Sequence, residues 1–250
     1  MLGIPLALTD YDVVGRWIDA VIASGSRASL SAAAVHLVMA AQEDDAVRAA
    51  VLATTVVVPD GQPLVWALRA LGHGRAATRV YGPDLMLHQC ARAAAAATPI
   101  YLYGGRSEGA LVALALNLRQ RFSGLEIAGA YSPPFRELSA EEDEQIAARI
   151  DASGARLVWI GIGQPRQELW MARMRPRLAA PMLVAVGAAF DFHAGLVAQA
   201  PSWMGRSGLE WTYRLAREPR RLWRRYARDN PRFVAAFARQ YAAERRRSVR

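Results

Sequence analysis

The carboxylate of Asp60 could do acid–base chemistry because of where it stands in the chain. It follows the β-branched run Thr54–Val58, which predicts a buried strand, and it precedes Gly61. A carboxylate at the end of a strand is placed to take a proton from a substrate hydroxyl, as a general base does. The alternative interpretation is a structural aspartate, since Asp-Gly is a common pair in turns.

A second segment with the residue types of a ligand site is Val158–Trp170. Its apolar part ends in Gly161-Ile-Gly163, and Pro165 then suits the first turn of a helix. A strand that stops at glycines before a helix start favours an anionic ligand, because free backbone N–H groups and the helix dipole attract negative charge. The alternative is a tight turn with solvated polar residues. These polar residues are Gln164, Arg166, Gln167 and Glu168.

Two more strand ends could face a ligand. A predicted strand ending at Tyr103 is closed by Gly104 and Gly105, and the predicted strand Met182–Val186 leads to Asp191. Asp191 stands between two phenylalanines, so it is either a paired core acid or a substrate contact. In an open α/β sheet the ligand lies beyond the carboxyl ends of the strands, and all four turns meet that rule.

The elements that position these turns alternate between strand and helix with short links. This alternation predicts one α/β body over residues 1–200, with a doubly wound and mostly parallel sheet. A short strand is expected at Arg79–Tyr81, and Ser139 with Glu142 predicts a capped helix start. Cys90 is the only cysteine. It is expected to be a small buried residue in a reducing compartment.

Residues 201–250 form a second region of different character. They carry 14 of the 31 arginines and only four acidic residues, whereas the first 200 residues are nearly neutral. We expect a basic helical appendage, broken at Pro219 and Pro231, that meets an anionic partner. One helical face of its last segment is apolar, which favours either docking on the body or insertion among lipid headgroups. The residues of that face are Phe233, Val234, Phe237 and Tyr241.

Several familiar sites are not indicated by the sequence. The turn at Gly161 lacks the third glycine of the dinucleotide fingerprint, and no Gly-Lys-Ser phosphate loop occurs. The histidines show no metal-ligand spacing, so neither a metal nor another cofactor is expected. Neither a signal peptide nor a membrane-spanning helix is indicated.

Taken in order, these segments make the chain resemble the WecB/TagA/CpsF glycosyltransferase family, also called glycosyltransferase family 26. Each matching piece is weak alone, but the ordered set is specific. The pieces are Val58-Pro59-Asp60-Gly61, Arg79-Val80-Tyr81-Gly82-Pro83-Asp84-Leu85, Tyr103-Gly104-Gly105, Ser132-Pro133-Pro134-Phe135, the turn from Gly161 to Glu168, Val186–Phe192, and Pro201, Trp203 and the arginine-rich stretch Gly208–Tyr226.

The resemblance implies an inverting, metal-independent hexosyl or N-acetylhexosaminyl transferase that moves a sugar from a UDP-sugar to a lipid-diphosphate-linked sugar. Its fold would be a Rossmann-like body of the GT-E type with a basic C-terminal appendage. The implied partners are the UDP-sugar, a polyprenyl-diphosphate-linked acceptor and an anionic membrane surface, with a homo-oligomer as a further expectation and no nucleic acid. The implied location is cytoplasmic, peripheral on the inner face of the plasma membrane, in exopolysaccharide or other envelope-glycan synthesis.

Position by position, the resemblance makes Asp60 the catalytic base. The strand-end turns would bind the donor, and arginines of the appendage would face its diphosphate. The family's usual Thr-x-Asn near the first strand end is replaced here by Ala32 and Ala34, which cannot hydrogen-bond a sugar. The predicted donor-binding residues are Gly104, Gly105, Gly161, Gly163, Gln164, Pro165, Gln167, Glu168 and Asp191, and the predicted diphosphate-binding residues are Arg214, Arg221 and Arg224.

Two other classes of function stay open at this point. One is a catalytically inactive, sugar-nucleotide-binding homologue, which Ala32 and Ala34 favour. The other is a nucleic-acid-binding protein that uses the basic tail, although the large aromatic residues of the tail and the neutral body weigh against it.

Overall fold

The computed structural model describes the backbone of residues 1–248, and the side chains among them apart from those of Ser202, Arg206, Arg221 and Ser248. The strands are β1 (Ala28–Ala33), β2 (Val56–Pro59), β3 (Ile100–Gly104), β4 (Ile127–Tyr131), β5 (Leu157–Gly161) and β6 (Met182–Ala185). They form one all-parallel sheet in the order β2-β1-β6-β5-β3-β4. This is the doubly wound, Rossmann-like α/β fold that the alternation of strand and helix predicts.

Helices fill the connections between the strands and continue after the last one. Those within the body are α1 (Tyr11–Ser24), α2 (Val35–Glu43), α3 (Asp45–Ala53), α4 (Gln62–Leu68), α5 (Gly82–Ala95), α6 (Glu108–Arg121), α7 (Ala140–Ala152), α8 (Arg166–Met174) and α9 (Ala189–His193). Those of the basic C-terminal region that begins at residue 201, called the tail from here on, are α10 (Ser202–Arg206), α11 (Glu210–Arg217) and α12 (Pro219–Ser248). The predicted capping box at Ser139 and Glu142 is confirmed at the start of α7, and Cys90 is buried in α5.

The two faces of the sheet are covered by different helices. On one face Leu102 and Trp159 are buried against α1, α5, α6 and α9, and on the other Tyr103 and Ile160 are buried towards α7 and α8, with α2 and α3 beside them. Neighbouring strands β1 and β6 lead into α2 and α9, which lie on opposite faces. The loops that follow these strands therefore diverge and open a crevice at the carboxyl edge of the sheet.

The tail helix α12 packs on the body through α2. Phe233 is buried among apolar residues of α2 and α3, and it stacks on Phe237, which in turn contacts Tyr241. Val234, expected on the same face, is exposed instead. The aromatic face of this helix is thus docked on the protein itself.

Two local predictions are wrong. Arg79–Tyr81 is not a strand but an irregular segment beside the end of β2, where the Val80 N–H donates to the carbonyl of Pro59 (3.0 Å). Pro231 does not end the tail helix, because α12 runs through it. The packing of its neighbours on α2 outweighs the one intrahelical hydrogen bond that proline removes.

Candidate active site

Asp60 lies at the carboxyl end of β2, in the loop that leads into α4. Its N–H donates to the carbonyl of Ala33 (2.9 Å), and its Oδ1 accepts a hydrogen bond from the N–H of Gly82 (2.6 Å). Burial raises the pKa of Asp60 to about 6, against the opposing effects of Arg79, the Gly82 N–H and Arg214. A carboxyl group with this pKa is mostly ionised at neutral pH and is still basic enough to take a proton.

Arg79 connects the Asp60 loop to the tail. Its Nε donates to the main-chain carbonyl of Asp60 (2.5 Å), and a terminal nitrogen pairs with Glu210 at the start of α11 (2.5 Å). Both side chains of this ion pair are largely buried, so salt screens it less than a surface pair. The loop that carries the carboxylate and the tail therefore share one polar network.

The helix α11 is attached to the body by an ion pair at each end. At its start Glu210 binds Arg79, and just beyond its end Glu218 accepts a hydrogen bond from Arg106 (2.8 Å). Arg106 also donates to Asp191 (2.9 Å), so Asp191 belongs to this second attachment. Between the two attachments α11 lies across the crevice.

Arg214 projects from the middle of α11 towards the crevice. Its guanidinium lies over the ring of Phe192, with 5.5 Å between them. Its Nε is buried and has no hydrogen-bond partner among the residues that the structure describes. A buried guanidinium nitrogen left unpaired is costly, and a bound anion could satisfy this atom.

Two cavities meet at Asp60. The sheet-side chamber lies above the ends of β1 and β6 and has about 520 Å³ of empty volume, and the tail-side chamber beneath α11 and α12 has about 630 Å³. Asp60, Ala34, Arg214 and Arg225 line both of them. A molecule in one chamber would therefore meet a molecule in the other at the carboxylate.

Ala32 and Ala34, at the carboxyl end of β1, line the sheet-side chamber. Ser31, which precedes Ala32 in the same strand, is buried in the interior instead. The Ser31 hydroxyl donates to Glu168 (2.6 Å), and Gln167 Nε2 donates to the same carboxylate oxygen (2.9 Å). Burial raises the pKa of Glu168 to about 7. Glu168 is fully buried and lies beneath the chamber, while Gln167 reaches its wall.

The predicted donor-binding residues fall into separate groups. Gly163, Gln164 and Gln167 line the sheet-side chamber, and Gln164 Nε2 donates to the carbonyl of Ala32 (2.7 Å). Pro165 immediately precedes α8. These positions keep the turn after β5 against the end of β1.

The other predicted glycines lie further along the sheet edge. The N–H of Gly105 donates to the carbonyl of Gly161 (3.2 Å), and a Cβ on Gly104 would come within 2.6 Å of the Gly161 backbone. Glycine at position 104 therefore allows β3 and β5 to approach each other at their ends. Whether these glycines and Asp191 contact a donor stays a prediction.

The predicted tail arginines are not equivalent. Arg214 lines both chambers, whereas Arg224 is exposed and lies over the neighbouring ring of Trp223 (5.4 Å). The side chain of Arg221 lies outside the described residues. Arg225, which was not predicted, lines both chambers as Arg214 does.

Several other residues of the site were not predicted from the sequence. Arg79 stood in one of the matching segments but was read as part of a strand, and nothing in the sequence singled out Arg225 among 31 arginines. Glu210 stood in the matching stretch Gly208–Tyr226, and His36 comes two positions after Ala34 at the replaced Thr-x-Asn, but no role was predicted for either. Both line the tail-side chamber, as does Asp229, which was not predicted.

Fold and site together define a class of protein: a Rossmann-like α/β protein whose strand-end crevice holds a carboxylate beneath guanidinium groups. The family model of the WecG/TagA/CpsF glycosyltransferases matches residues 1–247, nearly the whole chain. The chain therefore belongs to this glycosyltransferase family, and the resemblance noted from the sequence is confirmed. Within residues 1–248, no helix has both the length and the apolar character needed to cross a membrane.

Proposed function

We propose that this protein is an inverting glycosyltransferase that moves a hexosyl or N-acetylhexosaminyl group from a UDP-sugar to a lipid-diphosphate-linked sugar. The observation that carries the proposal is the position of Asp60, where two chambers meet below Arg214 and Arg225. Sugar transfer needs a base at the acceptor hydroxyl and positive charge at the leaving diphosphate. This arrangement supplies both around one point.

In the proposed reaction, Asp60 takes the proton of the acceptor hydroxyl as its oxygen forms a bond to the anomeric carbon of the donor sugar. The bond between that carbon and the diphosphate breaks on the opposite side, and UDP leaves with the bonding electrons. One displacement of this kind inverts the anomeric configuration. Oδ1 of Asp60 is held by the Gly82 N–H, which keeps the carboxylate oriented.

The donor is proposed to occupy the sheet-side chamber. Its wall contains Gly163 from the turn after β5, Gln167 from the first turn of α8 and Gly187 from the turn after β6. Arg214 and Arg225 would neutralise the diphosphate, the task that a divalent cation performs in other transferases. The unpartnered Nε of Arg214 supports this assignment.

The acceptor is proposed to enter the tail-side chamber from an anionic membrane surface. Trp203 and Trp223 of the tail are 56% and 52% exposed, and Trp211, in the chamber wall, is 39% exposed. Exposed indole rings next to arginines are typical of surfaces that enter the lipid headgroup region. These rings support a peripheral contact with a membrane surface. The surface we propose is the inner face of the plasma membrane, with a role in exopolysaccharide or other envelope-glycan synthesis.

The experiment that tests the proposal measures UDP release. UDP-sugars are first screened for a rise in the melting temperature of the protein, since a ligand of the folded state stabilises it. The selected donor is then incubated with polyprenyl-diphosphate-linked sugars, with and without added divalent cations. We expect UDP release that depends on the acceptor and a product of inverted anomeric configuration by NMR.

A second outcome has structural support of its own. Ala32 and Ala34 present only methyl groups to the sheet-side chamber, which fits a homologue that binds a sugar nucleotide without transferring it. Stabilisation by a UDP-sugar with no UDP release for any acceptor would favour that function. A product with retained configuration would contradict the single displacement.

A further inference from the structure

His36 and Asp229 form a polar pair in the wall of the tail-side chamber. His36 lies in the first turn of α2, and Asp229 lies on α12 with only 6% of its surface exposed. Nδ1 of His36 is 2.6 Å from Oδ2 of Asp229. The pair joins body and tail at a point where both side chains line the same chamber as Asp60.

Asp229 determines which edge of the imidazole ring carries the proton. A carboxylate only accepts hydrogen bonds, so Nδ1 is the protonated nitrogen, and Nε2 at the other edge of the ring keeps its lone pair. Burial, followed by the positive charge of Arg225, lowers the pKa of His36, against the opposing effect of Asp229. The neutral ring therefore offers a hydrogen-bond acceptor at Nε2.

Docking of the tail does not explain these residue types. At the other end of α2, Glu43 binds Arg228 (2.5 Å) and Arg232, and Phe233 is buried in the apolar cluster next to it. A buried polar pair must offset the desolvation of its own groups, and an apolar pair of similar size would dock the helix as well.

We propose that His36 is a recognition residue for the acceptor, positioned by Asp229, and that its Nε2 accepts a hydrogen bond from a non-reacting hydroxyl of the acceptor sugar. This inference rests on the proposed function. His36 lines the chamber under the tail together with Trp211, whereas Gly163 and Gly187, in the turns after β5 and β6, line the other chamber. The neighbouring Ala34 has no polar side chain, so His36 supplies a hydrogen bond that this strand end lacks.

The first test compares two variants at the interface between α2 and α12. His36→Asn keeps an N–H that can reach Asp229 but removes Nε2, so the KM for the acceptor should rise about tenfold, the loss expected for one hydrogen bond. The affinity for the UDP-sugar, measured by calorimetry, should stay the same. Glu43→Gln removes both arginine pairs outside the chamber and should leave the acceptor KM unchanged. An unchanged KM in His36→Asn, or an equal rise in Glu43→Gln, would overturn the proposal.

The second test reverses the tautomer. In Asp229→Asn the new amide can donate to Nδ1, which moves the proton to Nε2 and turns an acceptor into a donor. We expect a similar rise in acceptor KM, and a double variant no worse than His36→Asn alone. If the effects of the two substitutions on the acceptor KM were additive in the double variant, the proposed positioning of His36 by Asp229 would be overturned. Normal transfer by the unsubstituted protein with unchanged KM values in the variants overturns this inference alone, whereas no transfer by the unsubstituted protein overturns the proposed function as well.

Discussion

The crevice at the carboxyl edge of the sheet has one wall made by the sheet loops and one made by the tail, and different interactions hold the two walls in place. The sheet-side wall consists of loops that follow parallel strands, and hydrogen bonds from main-chain N–H groups fix it. The Asp60 N–H donates to the carbonyl of Ala33, and the Gly82 N–H donates to the Asp60 carboxylate. The tail-side wall consists of side chains from α11 and α12, and charged pairs with the body hold it, as at Glu210 and Arg79. The sheet-side wall thus holds the Asp60 carboxylate in a fixed position. The tail-side wall brings positive charge and an exposed aromatic surface to that carboxylate.

The largest effect is expected at the point shared by both walls. Asp60→Asn keeps an oxygen for the Gly82 N–H but cannot take a proton, so transfer should fall about 10³-fold, as for the loss of a general base. Donor binding, measured as the rise in melting temperature that the UDP-sugar causes, should remain. Asp12→Asn, on the exposed side of α1, is the matched control. Near-normal UDP release from Asp60→Asn would exclude Asp60 as the base.

A smaller loss is expected when the tail-side wall loses charge. Arg214→Ala should lower kcat about 10²-fold, because a buried guanidinium would no longer stabilise the leaving diphosphate. Arg224→Ala removes the same charge from an exposed position over Trp223 and should keep most of the activity. Steady-state UDP release measures both variants. Equal losses would mean that net tail charge matters and that the position of the arginine does not.

The pH profile tests the sheet-side wall without any substitution. Because the pKa of Asp60 is raised to about 6, the base loses its charge as the pH falls through this value. We expect kcat/KM to decrease about tenfold for each pH unit below that point and to level off above it. A flat profile between about pH 5 and 8, measured over the stable range of the protein, would contradict the role of this carboxylate.

The exposed face of the tail is tested with vesicles. Replacing Trp203 and Trp223 by serine should weaken binding to anionic vesicles about tenfold, because two exposed indole rings are lost from the headgroup region. Phe135→Ala is the control, since Phe135 is 93% exposed but follows β4 at the opposite edge of the sheet. Vesicle co-sedimentation measures both. Equal loss in the control variant would show that the tail is not the contact surface.

The smallest effect on transfer is expected at Glu168, which lies beneath the sheet-side wall. Its pKa is raised from 4.5 to about 7, so its contribution to stability is complete below pH 4.5 and is lost as the pH rises through 7. Glu168→Gln cannot ionise, so between about pH 4 and 8 its free energy of unfolding should improve relative to the unsubstituted protein by roughly 3 kcal/mol. Urea titrations at both pH values measure this. A difference that does not change with pH would contradict the raised pKa.

The fold and half of the site could be predicted because their signals are local. The alternation of strands and helices predicts a parallel sheet, and the residues after a strand lie at its carboxyl edge, which gave Asp60, Gly163 and Gln167. The order of the strands carries no such signal. Arg79–Tyr81 and Pro231 were mispredicted because tertiary contacts override local preference at both places.

The other half of the site depends on pairs that are distant in sequence. Glu210 and Arg79 are 131 positions apart, and Asp229 and His36 are 193 positions apart. In the sequence alone, each of these residues is typical of a solvent-exposed polar position. Arg225 could not be distinguished from the neighbouring arginines in the sequence, because its position in the site depends on which face of α12 is turned towards the chambers.

The contact of Arg79 with Glu210 has a consequence for shortened forms of the protein. Burial and the charge of Glu210 raise the pKa of Asp60, whereas Arg79, the Gly82 N–H and Arg214 lower it. A chain cut after Ala200 would keep every strand, yet its carboxylate would be open to water and would face an arginine that has lost its other partner. The last fifth of the polypeptide thus contributes to the acidity of a group in its first quarter, and an inactive fragment would reflect a weakened base as well as a missing binding surface.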